Sequence, residues 1–139
     1  QNQFTKLPAT LGRLVLLEEL NIGNNQLSIL PNIATLVKLK ELKLYQNNFS
    51  ELSPNILQLT QLVELDFSDN QLTEIPQEIS RLTTLQELNL EKNALTVVPK
   101  TLRELKQLQQ LDISENPLEE GDKQWLIDWM PNIRLDQTE

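Results

Sequence analysis

Leu85-Gln86-Glu87-Leu88-Asn89-Leu90-Glu91-Lys92-Asn93-Ala94-Leu95 is the stretch that decides the fold. Leu88 and Leu90 stand two apart, so they share one side of an extended chain while Glu87 and Asn89 turn to the other. That is a short strand with one apolar face. The phrase recurs as Leu17, Leu20, Ile22, Asn25, Leu27, then as Leu39, Leu42, Leu44, Asn47, Phe49. It returns as Leu62, Leu65, Phe67, Asn70, Leu72, and closes as Leu108, Leu111, Ile113, Asn116, Leu118. Five phrases stand in register, and the asparagines, starting from Asn2, are spaced by 23, 22, 23, 23 and 23 residues.

The segment between phrases also repeats. Leu7-Pro8, Leu30-Pro31, Ile75-Pro76 and Val98-Pro99 each follow an asparagine at the same distance. Proline supplies no backbone donor and disfavours helix at the residue before it, so the return path starts extended or in a turn. Beyond it, Ile79, Leu82 and Leu85, or Leu102, Leu105 and Leu108, are spaced by three, as a short 3₁₀ or α turn with one buried stripe requires. One such coil cannot bury its leucines alone. Stacked coils set strand beside parallel strand, roughly 4.8 Å apart, around a continuous apolar interior.

The phrase L-x-x-L-x-L-x-x-N-x-L resembles that of the leucine-rich repeat family, with Ile or Phe for Leu at a few positions, and the resemblance covers nearly the whole chain. Within the family it is similar to the 23-residue variety of intracellular Ras-group-related proteins, of GTPases with leucine-rich arms and of many bacterial proteins. The resemblance implies an α/β solenoid. Its parts would be a right-handed coil with a parallel β-sheet on the concave face, short 3₁₀ or α turns on the convex face and a C-terminal helical cap. It also implies a ladder of asparagine side chains, here Asn25, Asn47, Asn70, Asn93 and Asn116, bonding the backbone groups of the turn that leaves each strand. These asparagines are structural rather than catalytic. Family membership implies binding, without naming what is bound.

The two ends differ. Residues 17–118 hold the five repeats, 1–16 the second half of a repeat whose strand is missing, and 119–139 a cap. In the cap, Trp125, Leu126 or Ile127, and Trp129 have the near-helical spacing needed to lay an amphipathic helix over the last coil, and Pro131 ends it. An exposed aromatic binding surface is the alternative reading of the tryptophans. At the amino end, Phe4, Leu7 and Leu11 form an apolar flank that is partly open, as in a trimmed or processed product, so the chain is expected to be a monomer or a weak dimer through that end.

Composition removes whole classes of function. Thirty leucines sit among 139 residues, with 3 glycines, no cysteine and no histidine, which removes disulfides, thiolate nucleophiles, zinc ribbons and the usual proton carrier near neutral pH. No cofactor and no metal site is indicated: the acids lack the loop spacing and bend glycine of a calcium hand. Twenty acidic and twelve basic residues leave a net charge of −8, a poor match to nucleic acid. No apolar run approaches the roughly 18 residues of a membrane span, and the amino end lacks the sections of a signal peptide. Asn48-Phe49-Ser50 fits a glycosylation acceptor but does not establish secretion. Cytoplasm fits slightly better than a bacterial secreted or surface location.

Exposed strand positions then define the expected site. Counting from the first leucine of the phrase, position three reads Glu19, Glu41, Glu64, Glu87 and Gln110, and position five reads Asn21, Lys43, Asp66, Asn89 and Asp112. Position seven adds Gly23, Tyr45, Ser68, Glu91 and Ser114. With positions two and eight these rows carry ten acidic and three basic residues, so nearly all the excess charge faces one way. The expected partner is a basic protein bound at Glu19, Asn21, Glu41, Lys43, Tyr45, Glu64, Asp66, Ser68, Glu87, Asn89, Glu91 and Asp112. The plainer reading of the glutamate column is a solubilising decoration of exposed strands. Tyr45 reads either as an aromatic anchor or as an exposed ring, and Lys43 as a partner for Glu41, Glu64 or Asp66. An open acidic face offers no walls to exclude water or shift a proton, so no enzyme is expected. The alternatives are the regulatory arm of a larger protein, of GTPase, kinase or ligase type, and a bacterial protein that contacts host proteins.

Overall fold

The computed structural model describes residues 3–135. Asn2, the first of the spaced asparagines, and residues 136–139 of the expected cap lie outside the described residues. Each phrase forms one three-residue strand: β1 Glu19–Asn21, β2 Glu41–Lys43, β3 Glu64–Asp66, β4 Glu87–Asn89 and β5 Gln110–Asp112. They pair in sequence order, all parallel, with leucine beside leucine along the middle row: Leu20, Leu42, Leu65, Leu88, Leu111. From β2 on, this row is almost wholly buried, as are the rows of Leu39, Leu62, Leu85 and of Leu44, Phe67, Leu90. Burying each such side chain is worth about 1.5–3 kcal/mol, and the stack repeats the gain at every coil.

The return paths follow the prolines. Pro8, Pro76 and Pro99 sit extended immediately before 3₁₀ turns at Ala9–Arg13, Gln77–Arg81 and Lys100–Glu104, and a shorter turn spans Ile56–Gln58. The coil between Asn25 and Asn47 departs from the expected pattern: among the described residues it has no 3₁₀ helix, only tight turns. This is the coil whose asparagine spacing is 22, and the missing residue falls between Pro31 and Leu36, where the other proline-led coils carry one more. Ile33 and Leu36 are nevertheless fully buried. The short coil closes directly on its neighbour, where the Thr35 hydroxyl donates to the Gly12 carbonyl at 2.6 Å.

At the carboxyl end, helix α1, Glu120–Trp129, lies over the last coil with Trp125 and Leu126 buried, while Ile127 is exposed. The register therefore selects Leu126 over Ile127. Trp125 is fixed on both sides: its indole N–H donates to Asp122 Oδ1 at 2.8 Å, and the Arg103 guanidinium stands 4.8 Å from the ring centroid. Asp122 also accepts the Val98 N–H, so one carboxylate ties the cap helix to the fourth return path. Past the helix the chain turns back to the sheet, and Arg134 forms a parallel bridge with Asp112.

Candidate functional site: the acidic face of the sheet

The asparagine ladder holds this face in shape. The Asn47 carboxamide accepts the Leu27 N–H at 3.0 Å and donates to the carbonyls of Leu44 and Tyr45 in its own coil and Ile22 in the one before. Asn70, Asn93 and Asn116 repeat this set on their own neighbours. Asn25 makes the version available to a first coil, accepting from Phe4 and donating to Ile22 and Gly23. Among the described residues no buried side-chain nitrogen or oxygen is left without a partner.

Strand register sets Glu19, Glu41, Glu64, Glu87 and Gln110 side by side, one per strand. The next row out is Asn21, Lys43, Asp66, Asn89 and Asp112, and four of its members have a second task. Asn21, Asp66, Asn89 and Asp112 each accept, through Oδ1, the N–H two residues on, at 3.0–3.1 Å, closing the turn that leaves the strand. Ser68 and Ser114 reinforce it by donating their hydroxyls to the same oxygens. The strand alternation marks this row as outward-facing, and the structure adds the turn closure. Its signal was legible in the spacing, since Asn and Asp two residues before an unpaired N–H are the residues that make such turns.

Lys43 cannot accept that bond and instead reaches across to Glu64, Nζ to Oε2 at 3.4 Å. The Glu64 carboxylate is chiefly what raises the Lys43 pKa above its ordinary value. On its other side Glu64 shares a hydrogen bond with Glu87, and this, followed by burial and the charges of Glu64 and Glu41, raises the Glu87 pKa above the ordinary carboxyl value, against a smaller opposing pull from Lys43. Glu91 is raised as well, first by desolvation, then by the charges of Asp112 and Glu115. The remaining basic residues of the face are engaged too: Lys40 with Glu18 at 3.3 Å and Lys92 with Glu115 at 3.7 Å.

Tyr45 is half-buried. Its ring lies flat on Gly23, so close that a Cβ there would meet Cζ at 2.4 Å. The pairing of Gly23 with Tyr45 in adjacent coils makes a half-buried aromatic shelf at the edge of the acidic rows. At the other end the face deepens into a depression of about 450 Å³ lined by Glu64, Asp66, Glu87, Gln110 and Asp112, with Asn132 and Arg134 as its outer wall. Arg134, 3.9 Å from Asp112, was not among the residues expected here. The alternation of Ile133, Arg134 and Leu135 repeats on a small scale the strand signature of the repeats, and would have placed it. Among the described residues no acidic cluster has the arrangement of a metal site, and no helix is long and apolar enough to cross a membrane.

The described residues form a coiled stack with a strand-lined polar face, the architecture of a repeat solenoid. Leucine-rich repeat models match residues 16–36, 38–59 and 60–118, and the chain belongs to the leucine-rich repeat family. Its domains generally mediate protein–protein interaction and are typically non-enzymatic. Among solved structures, a leucine-rich repeat protein of Leptospira interrogans superposes with a TM-score of 0.87 at 35% identity, covering 98% of this chain. The chain spans 35% of the length of that protein. Curated proteins give no match.

Proposed function

We propose that the chain is a non-catalytic recognition module that binds a basic protein segment on its acidic sheet face. The observation that carries this reading is the in-register row Glu19, Glu41, Glu64 and Glu87, in which like charges on adjacent strands repel and one lysine offsets them. A basic partner relieves that repulsion, and its approach is speeded by a field that salt screens over about 8 Å. Tyr45, immobilised on Gly23, offers a rigid aromatic contact at low entropic cost beside the charged rows. Asn21, Asp66, Asn89, Ser68 and Asp112 serve the site by shaping it, and Glu91 adds charge at its rim. Domain limits at 16 and 118 are part of the same proposal.

The test is capture from extract by the wild type and by Glu41→Lys, Glu64→Lys and Tyr45→Ala, followed by calorimetry with the captured protein. One protein lost from all three variants, bound roughly tenfold or more weakly by each charge reversal and more weakly in high salt, is the expected result. A protein held equally by all four chains, or with salt-independent affinity, overturns it. A second reading, the leucine-rich arm of a larger protein, draws support from the fraction of the Leptospira protein that this chain spans.

A further inference from the structure

The depression at the far end of the sheet is not acidic throughout. The row Glu41, Glu64, Glu87 ends at Gln110, and the row that holds Asp66 and Asp112 ends at Arg134, the one cation among the residues that line the depression. An ionised carboxylate only accepts hydrogen bonds, whereas a carboxamide adds two donors to its acceptor and a guanidinium offers five donors and no acceptor. One side of the depression therefore consists of acceptors, and the other is rich in donors.

Those donors are held in place and left unused. Arg134 is fixed through its main chain: its N–H donates to the Leu111 carbonyl at 3.0 Å, and its carbonyl accepts the Ile113 N–H at 2.9 Å. Its side chain is 80% exposed and stands 3.9 Å from Asp112, too far for a hydrogen bond. Asp112 is itself committed to its turn, with Oδ1 taking both the N–H and the hydroxyl of Ser114. Among the described residues no hydrogen bond engages the carboxamides of Gln109, Gln110 and Asn132, which line the same side. A lone exposed arginine implies nothing. One pinned by the sheet at the rim of a depression, beside three unengaged carboxamides, presents a seat for a carboxylate.

The spacing of the two sides sets the spacing of the ligand. Glu87 on β4 and Arg134 are separated by β5, so they lie about two strand spacings, roughly 10 Å, apart, a span that an extended chain crosses in about three residues. We infer that this depression selects, within a basic segment, a cation with an aspartate or glutamate about three residues away, the cation lying on Glu87 and Asp66 and the acid on Arg134. The inference rests on the acidic-face reading proposed above, and goes beyond it in sign. Attraction to the face as a whole favours the most basic ligand, whereas a seat for a carboxylate favours the ligand of mixed charge.

Two peptides separate these orders in an NMR titration of the 139-residue chain: acetyl-Lys-Arg-Ala-Ala-Asp-amide, and the same peptide with Asn in place of Asp. The Asp peptide should bind about threefold tighter, the scale of one exposed charge pair, although it carries one positive charge fewer. Arg134→Gln should reverse the order by weakening the Asp peptide and strengthening the Asn peptide, and Arg134→Lys should keep part of the preference. Arg134 holds the sheet through its main chain, so circular dichroism should be unchanged in both variants. A tighter Asn peptide on the wild type, or an Asp peptide that Arg134→Gln does not weaken, overturns this inference alone and leaves the acidic face standing. No binding of either peptide, or binding indifferent to Glu87→Lys, overturns the acidic-face reading and the inference with it.

Discussion

The Asn70 carboxamide accepts from the Phe49 N–H and donates to the carbonyls of Leu44, Phe67 and Ser68, so its removal strands a donor and several acceptors inside a buried turn. Asn70→Ala should cost about 3 kcal/mol in urea unfolding, the scale of a desolvated and unpaired backbone group, although the side chain is small. The same turns impose a second demand. Asn24, Gln46, Asp69, Lys92 and Glu115 all sit in the left-handed region, with φ between 53° and 63°. Asn and Asp tolerate that conformation and β-branched residues do not, so Gln46→Val should lose about 1–2 kcal/mol in the same measurement, with no change in burial. The ladder was legible in the sequence because a carboxamide at fixed spacing is itself the chemistry that the turn needs. The left-handed row was not, because its five residues share only the polarity common to exposed positions and include no glycine.

At the scale of the element, the strands and their order were legible from the period-two leucines, and the 3₁₀ turns from proline followed by spacing of three. The coil of 22 residues shows where such reading stops. Its proline and leucines predict the same turn as its neighbours, yet one residue fewer between Pro31 and Leu36 leaves too little chain to wind it, and the coil tightens onto Gly12. A Cβ at Gly12 would stand 2.7 Å from the Asn32 carbonyl oxygen, a backbone atom with little room to retreat. Gly12→Ala should therefore destabilise the chain by about 1–3 kcal/mol, despite the helical preference of alanine, as thermal or urea unfolding would show. At the opposite end, Trp125 packs on the last coil, bonds Asp122 and carries Arg103 on its ring. Trp125→Ala should cost about 3–5 kcal/mol. Hydrogen exchange should then speed first in β5, the strand that the cap shields.

For the molecule as a whole, the charge on which the proposed binding of a basic partner rests works against the isolated stack. Glu87, held by its hydrogen bond to Glu64 and then by burial and neighbouring charge, and Glu91, held chiefly by burial, both bind protons more tightly in the fold than the ordinary carboxyl value of 4.5. The folded chain therefore takes up protons before the unfolded chain does as pH falls from neutral. Their contribution to stability is fully present below the ordinary carboxyl value and is lost as pH rises through the raised values. The free protein should thus melt at a higher temperature in mildly acidic buffer than at neutral pH, and Glu87→Gln should flatten part of that rise. Binding of a basic segment must run the other way. It favours the ionised face, so association should release protons and weaken as pH falls through the same range, which calorimetry in buffers of different ionisation enthalpy would measure. If stability and affinity rose together on acidification, the glutamate column would be neither the source of strain in the free stack nor the surface that its partner relieves.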